Sequence, residues 1–265
     1  MSRTSNRYRL ADWLLRLEWV LVLAFLYLPI GILIVFSFNR SRLTAVWEGF
    51  TFDWYLALAA NQQLLGSLWN SLIVAVLTTA IATVLGTAAA YAMDRALPRG
   101  QEVIEGLVHL PIIIPEIVIA ASLVIFFGMA GVRLSLVTVV LAHVAFSISY
   151  VILTVRSRLA GMERSLEEAA MDLGADEWTT FRTVTLPHLF PAIVSSGLLV
   201  FTLSIDDFVI TSFVAGTGST TLPLQIYSMV KQGVTPEINA VSSLLLVGTL
   251  VLAGVAQALS GKLEH

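Results

Sequence analysis

The chain has 265 residues, of which 57% are hydrophobic and only 12% are charged, and its mean hydropathy is +0.85. An average soluble protein carries about 25% charged residues, and a soluble domain of this size cannot bury so much apolar surface. These figures exclude a soluble enzyme and a disordered chain. The net charge of -3 argues against a nucleic-acid-binding surface. The absence of cysteine excludes disulfides, thiolate metal sites and a cysteine nucleophile.

Long stretches with few or no charged residues predict the membrane-spanning helices. About 20 mostly apolar residues are needed to cross roughly 30 Å of hydrocarbon. The sequence therefore predicts a single-domain, all-α integral membrane protein with six spans, at about 17–38, 66–93, 104–128, 134–156, 190–215 and 238–260. The first span is too long for a signal-peptide core and is predicted to remain as an anchor. Residues 263–265 resemble the start of a vector-encoded histidine tag and are left out of the fold argument.

The distribution of basic residues predicts the orientation of the chain. With the N-terminus inside, the inner segments hold eleven of the fifteen Lys and Arg residues, and the outer segments hold four. Cytoplasmic segments of membrane proteins carry the excess of positive charge. We therefore expect both termini to lie in the cytoplasm.

The segment between the fourth and fifth spans, Arg156 to Leu189, is the largest polar segment on the predicted inner side. It carries ten charged residues, of which six are acidic and four are basic. A pair of interfacial helices lying on lipid would favour Lys and Arg on the polar face. The acidic balance favours a protein partner over that alternative.

Two short helices are predicted within this segment. Ser165 and Glu168 have the spacing of a capping box, which predicts a helix beginning at Ser165. Gly174 is placed to end that helix, and Asp176 can cap a second one. Pro187 is expected to close the unit.

The same segment contains, in order, Glu168-Ala169-Ala170, three residues, Gly174, nine residues and Val184-Thr185-Leu186-Pro187. This pattern resembles the EAA motif of permease subunits in bacterial ABC importers, with Val184 where that family has Ile. In that family the motif forms coupling helices that sit in a groove of the ATP-hydrolysing subunit. The resemblance implies the type I importer fold and a cytoplasmic coupling loop over 157–189. It assigns the coupling role to Glu168, Ala169, Ala170, Gly174, Leu186 and Pro187.

The resemblance also implies the partners of the chain. The sequence has no G-x-x-x-x-G-K-[ST] loop, so ATP and Mg²⁺ are expected on separate subunits, and the chain itself is expected to hold no cofactor and to be no enzyme. The expected partners are two ATP-binding subunits, a second permease subunit, an extracytoplasmic solute-binding protein and membrane lipid, without nucleic acid. The expected location is the bacterial inner membrane.

Three acidic residues lie near the middle of predicted spans, namely Glu116 in the third and Asp206 and Asp207 in the fifth. Each costs about 2.5–3.5 kcal/mol at the centre of a membrane helix, and no Lys or Arg lies in the spans to pair with them apart from Arg156 at the end of the fourth. They predict a path for a cationic solute such as a polyamine. Adjacent residues point about 100° apart on a helix, so Asp206 and Asp207 are not expected to face one lumen together. Alternatively, one or more of the acids is neutral and hydrogen-bonded between helices.

Other residues give weaker signals. For His109 and His143, in spans three and four, hydrogen bonds between helices are favoured over a metal or proton site. Gly86 and Ala90 indicate close packing of the second span on a neighbour. The aromatic residues of the first outer loop favour an interface belt over a docking surface. The last outer loop is expected to hold a short helix from Leu222 to Lys231.

Further segments carry a wider resemblance: Ser37-Phe38-Asn39, Trp47-x-Gly49-Phe50, Phe201 to Asp207, Thr221 to Leu224 and Pro236 to Ala240. They look like the permeases of spermidine/putrescine importers, and more like the second permease of that system than the first. The resemblance implies polyamine import by ATP-driven alternating access and pairing with a different permease. The alternatives are an importer permease for an amino acid, a sugar or a metal complex, a proton-coupled carrier, and an intramembrane hydrolase.

Overall fold

The computed structural model describes residues 3–42, 46–95, 100–233 and 235–263, and within these ranges it contains helices and no strand. The helices are α1 (Arg3–Phe36), α2 (Asp53–Ala60), α3 (Gln62–Arg95), α4 (Gln101–Ile113), α5 (Glu116–Met129), α6 (Leu136–Ala160), α7 (Ser165–Asp172), α8 (Glu177–Thr180), α9 (Leu186–Asp206), α10 (Val209–Val214), α11 (Leu222–Gln232) and α12 (Pro236–Leu263). A π-helical turn, Phe181–Thr185, joins α8 to α9. The helix predicted in the last outer loop is confirmed as α11. Residues 264 and 265 of the suspected tag lie outside the described residues.

Apolar helices long enough to cross a membrane confirm the predicted all-α membrane fold. Within the described residues there are four of them: Asp12–Phe36, Gln62–Arg95, Leu136–Ala160 and Glu177–Asp206. A fifth candidate is the pair of α4 and α5, which satisfies the same criteria as one bent unit. The described apolar part of α12, Pro236–Val251, is shorter. The count of six spans therefore stays a prediction.

The third predicted span, 104–128, is not one straight helix. α4 ends at Ile113 and α5 begins at Glu116, and the two helices are bent by 106°. Pro115 has no N–H for a helical hydrogen bond and disfavours the helical conformation in the residue before it. Ile114 is accordingly extended, with ψ at 132°.

The prediction of a single helix for the fifth span, 190–215, is also wrong. α9 ends at Asp206, Asp207 is extended with ψ at 126°, and α10 begins at Val209. Neither proline nor glycine lies between 205 and 210, so the break does not depend on a helix-breaking residue. Asp207, at the break, bonds both to the first turn of α10 and to a residue of α6, as described below.

Pro187 does not close the cytoplasmic unit, contrary to prediction. It lies in the first turn of α9, which continues through the π turn from α8. In that turn the N–H of Leu186 donates to the carbonyl of Phe181, five residues earlier. The π turn and the position near the start of α9 let the chain accept a proline that an α-helical interior excludes.

Two compact units divide the chain, residues 1–61 with 228–247 and residues 62–227 with 248–265. In the first unit, the segment after α1 folds around Asn39, which is fully buried. Its side-chain amide donates to the carbonyl of Val46 at 2.6 Å and accepts the N–H of Glu48 at 2.9 Å. The indole N–H of Trp54 donates to the Asn39 carbonyl at 2.7 Å. These bonds join the described residues on the two sides of the predicted first outer loop.

In the second unit, α3, α6 and α9 pack on one another and enclose the core. Gly86 of α3 lies directly on α6, and a Cβ added there would come within 2.6 Å of the Cβ of Val151. Only glycine allows such an approach, and Ala90 one turn later is fully buried. The predicted close packing of the second span is confirmed.

Candidate functional site

Each of the three predicted intramembrane acids lies at a break in a helix. Glu116 is the first residue of α5, directly after the 106° bend. Asp206 is the last residue of α9, and Asp207 follows it. A helix end leaves backbone groups without intrahelical partners, and inside membranes such ends occur where the backbone lines a cavity or is buried in protein.

The electrostatic settings of Glu116 and Asp206 differ, although both residues are exposed. Glu116 is at the N-terminus of α5, where the helix dipole stabilises a negative charge. Asp206 is at the C-terminus of α9, next to carbonyl groups that have no partner within the ended helix. The carboxylate and these carbonyls concentrate negative potential, and broken helix ends of this kind coordinate cations in membrane transporters.

Asp207 is enclosed by protein, and only 5% of its side chain is exposed. Its Oδ1 accepts the backbone N–H of Thr211 at 2.8 Å and the Thr211 hydroxyl at 2.9 Å. The same oxygen lies 3.1 Å from Nε2 of His143, which is fully buried. The basic partner of this acid is therefore a histidine, whereas Lys and Arg are absent from its surroundings in the sequence.

The two histidines differ in how they meet the prediction of interhelical bonds. The prediction is confirmed for His143 on α6, whose Nδ1 lies 2.8 Å from the hydroxyl of Ser204 on α9. It is wrong for His109, which is exposed and lies 2.6 Å from the carbonyl of Glu105 in its own helix. No group of three or more His, Cys, Asp or Glu residues able to hold a metal occurs in the described part of the chain.

The cytoplasmic loop has the predicted pair of short helices joined by a glycine turn. Gly174 follows α7 with φ at +93°, a conformation that L-residues rarely adopt. Asp176 caps α8 by accepting the N–H of Thr179 at 3.0 Å. Hydrogen bonds from the Thr179 side chain and backbone hold the pKa of the Asp176 carboxyl below its usual value.

The predicted capping box at Ser165 is wrong, although α7 does begin at that residue. The N-cap position is taken by Arg164, which already has helical backbone angles. Ser165 therefore sits one position inside the helix, and its hydroxyl donates to Glu163 at 3.4 Å. The N–H of Glu168 bonds to the carbonyl of Arg164 instead of to Ser165.

An apolar surface of this loop faces outward. The side chains of Leu173, Trp178 and Leu166 are 90%, 66% and 51% exposed. Glu168 and Ala169 of the predicted coupling motif are also exposed. Helices on a soluble surface turn their apolar side inward, so this arrangement indicates a surface that another molecule covers.

Glu167, beside the motif, is buried and ties the loop to the bundle. Its Oε2 lies 2.6 Å from Nη2 of Arg95, the last residue of α3. Its Oε1 accepts the hydroxyl of Thr185 in the π turn at 2.5 Å. One carboxylate thus joins α7, α3 and the start of α9. Sequence reasoning missed this residue, since nothing in the pattern distinguishes Glu167 from the other acids of the loop.

Comparison with known proteins matches residues 82–264 to the family described as "Binding-protein-dependent transport system inner membrane component". Among curated relatives, the spermidine/putrescine transport system permease protein PotC of Escherichia coli is 43% identical over 236 residues, which cover 89% of each chain. PotC of Haemophilus influenzae is 41% identical and covers 92% of this chain and 95% of the relative. The putrescine transport system permease protein PotI of Escherichia coli is 40% identical, covering 91% and 88%.

Two solved structures show the same fold at low sequence identity. The first is a bacterial ABC transporter involved in the import of the acidic polysaccharide alginate. It superposes with a TM-score of 0.77 at 18% identity, covering 97% of this chain and 96% of the other. The second is the MetNI methionine ABC transporter in an inward-facing conformation. It superposes with a TM-score of 0.62 at 17% identity, covering 76% and 95%.

Proposed function

Because the chain belongs to the binding-protein-dependent transport system inner membrane component family and has the type I ABC importer permease fold, we propose that it is a polyamine permease subunit. It would translocate spermidine, putrescine or both across the inner membrane by alternating access. Relatives that are 40–43% identical over about nine tenths of the chain carry polyamine names, which supports this solute class. Family membership argues against the proton-coupled carrier and the hydrolase.

Two exposed carboxylates at two helix breaks carry the polyamine proposal. Glu116 and Asp206 are presented where membrane helices end. The predicted spans contain no Lys or Arg except Arg156, which pairs with Glu105 at 2.6 Å. A polyamine has two or more ammonium groups separated by methylenes. Spaced carboxylates can bind the charged ends, and the aliphatic walls of the spans can contact the methylenes. We therefore assign Glu116 and Asp206 to the solute path.

The coupling role belongs, in this proposal, to the exposed apolar surface of the cytoplasmic loop. Glu168, Ala169 and Ala170 on α7 and Gly174 after it would dock on an ATP-binding subunit. Leu186 and Pro187 lie where the loop enters α9, so they would transmit its movement into the bundle instead of contacting the ATPase.

The remaining partners follow from the same mechanism. Two ATP-binding subunits would hold ATP and Mg²⁺, and their closure would move the coupling loop and open the cavity outward. An extracytoplasmic binding protein would then deliver the solute, and hydrolysis would return the cavity to the inside. The second permease would be a different chain, and both termini of this one would lie in the cytoplasm.

The test is uptake of labelled spermidine and putrescine in cells that lack the gene, with and without a restored copy. We expect uptake to fall on deletion and to return on restoration. The purified chain alone should hydrolyse no ATP, which serves as a control for subunit assignment. Unchanged uptake would reject the polyamine assignment and direct the search to amino acids, sugars and metal complexes.

The bond network of Glu167 gives a prediction about coupling. Glu167→Gln should lower uptake several-fold, because the Arg95 guanidinium would lose a carboxylate partner that is only 11% exposed. Breaking a buried ion pair by changing one member costs up to about 3–5 kcal/mol, and partial exposure reduces that cost. Uptake per amount of membrane-inserted complex is the measurement.

The matched control for this prediction is Glu163→Gln on the same loop, where the carboxylate belongs to an exposed residue. We expect this variant to keep wild-type uptake. The exchange Arg95→Glu with Glu167→Arg should recover part of the loss by restoring the pair in reverse. Equal losses in the Glu163 and Glu167 variants would mean that loop charge, and not the tie to α3, is responsible.

A further inference from the structure

We propose that His143 is a positioning residue of the solute path: it holds Asp207, preserves the break between α9 and α10, and so presents Asp206 to the solute. The inference rests on the proposed function, because it concerns the same path. It also separates the roles of the two adjacent aspartates, since Asp206 would contact the solute and Asp207 would not.

Both ring nitrogens of His143 are engaged, and they join three helices. Nδ1 lies 2.8 Å from the hydroxyl of Ser204 on α9. Nε2 lies 3.1 Å from Oδ1 of Asp207 and 3.0 Å from the hydroxyl of Thr211 on α10. The imidazole of His143 is fully buried, and its ring centroid lies 5.9 Å from that of Phe146. The imidazole is therefore held in place by polar contacts at both ring nitrogens and by its contact with Phe146.

Asp207, held by His143, caps the N-terminus of α10. Its carboxylate accepts the N–H of Thr211 at 2.8 Å and lies 3.4 Å from the N–H of Ile210. These N–H groups belong to the first turn of α10, and after a break they have no helical carbonyl to bond to. The carboxylate replaces the missing acceptors, and His143 gives it a further polar partner in a site that is closed to solvent.

The break matters because it leaves carbonyl groups of α9 free beside Asp206. If the helix continued through 207, the N–H groups of 208 to 210 would bond to those carbonyls, since each helical N–H bonds four residues back. The carbonyls would then be unable to coordinate an ammonium group. Loss of the His143–Asp207 contact favours that continuous helix, because the enclosed carboxylate would lose its partner on α6 and keep only Thr211 and Ile210 of α10.

The test uses three substitutions at His143 that keep different parts of the network. Gln places an amide nitrogen near the position of Nε2, and Asn places one near Nδ1. Phe keeps the ring without either nitrogen. The complete transporter, with both permeases and the ATP-binding subunits, is reconstituted in proteoliposomes with spermidine-loaded binding protein. Uptake is measured against the concentration of that protein and normalised to the amount of complex.

We expect His143→Gln to stay within about twofold of the wild-type maximal rate. His143→Asn and His143→Phe should lose about tenfold or more. The concentration of binding protein at half-maximal rate should stay unchanged, because docking does not involve this buried residue. A parallel pair supports the assignment: Asp207→Asn keeps an acceptor oxygen for Thr211 and should retain more uptake than Asp207→Ala.

Several outcomes would overturn the inference. If Asn restores the rate and Gln does not, the contact with Ser204 and not that with Asp207 is the important one. If the normalised rates of all three variants equal wild type, His143 only packs. If Asp207→Asn fails as completely as Asp207→Ala, the charge of Asp207 acts on the solute directly. A wild-type complex that carries no spermidine would instead reject the proposed function, so the two failures are distinguishable.

Discussion

Gly174→Asp is expected to abolish polyamine uptake while leaving the chain in the membrane. Gly174 adopts φ +93° in the turn between α7 and α8. A residue with a Cβ pays about 1–2 kcal/mol in left-handed backbone, which distorts the turn without unfolding a membrane protein. The new carboxylate also lies beside the exposed apolar surface formed by Leu173 and Trp178. A charge there opposes docking of an ATP-binding subunit, because it must be desolvated at the interface.

The measurement is labelled uptake together with the amount of chain in isolated membranes. Gly131→Asp is a matched control, since Gly131 has φ +67° and lies between α5 and α6, away from the loop. A Cβ at either glycine meets no atom within 4 Å, so steric clash does not distinguish them. We expect the control to transport. Normal uptake in the Gly174 variant would contradict the coupling role, and equal loss in both would point to backbone strain alone.

The features that sequence predicted correctly depend on residues close together in the chain. Gly174 ends α7 because a glycine is needed for its positive φ, and Asp176 caps α8 through a bond to a residue three positions away. The bend before Glu116 also has a local cause, because Pro115 directly precedes that residue. Local chemistry is sufficient for such features, and the predicted loop is confirmed in its two helices and its turn.

The features that were missed depend on distant contacts. Only Asp206 and Asp207 interrupt the apolar run over 190–215, which therefore predicts one continuous helix. Asp207, at the break, contacts His143, which lies 64 positions earlier in the chain. The bond from Glu167 to Arg95 crosses a similar distance along the sequence. No local signal identifies these partners, because burial and pairing are decided only when the helices pack.

Pro187 is the opposite case: the local sequence predicts the end of a helix there, but in the structure the helix continues. Proline ordinarily ends a helix because it lacks an N–H and its ring clashes with the preceding turn. The π turn before it shifts the hydrogen bonding by one residue, and the helix continues from Glu177 to Asp206. The loop is thereby continuous with the fifth span. A movement of α8 can pass directly into α9, which ends at the proposed cation site.

Asp206→Asn is expected to lower uptake of spermidine and putrescine by about ten- to a hundredfold. A hydrogen bond to a charged group contributes about 1.5–3 kcal/mol, and each tenfold change in rate corresponds to about 1.4 kcal/mol. The amide has nearly the same shape as the carboxylate, so folding should be unaffected at this exposed position. Asp206→Glu keeps the charge and should recover part of the rate.

The measurement for Asp206 is uptake by the reconstituted complex, compared with ATP hydrolysis stimulated by the loaded binding protein. Asp53→Asn, at an exposed acid in the first turn of α2, is the control and should transport normally. A variant that hydrolyses ATP but carries little polyamine would place the defect in translocation instead of coupling. Wild-type uptake in both Asp206→Asn and Glu116→Gln would contradict the cation path. Because α9 presents both its free carbonyls and Asp206 at one end, loss of the charge should weaken the site without removing it, and residual uptake should persist.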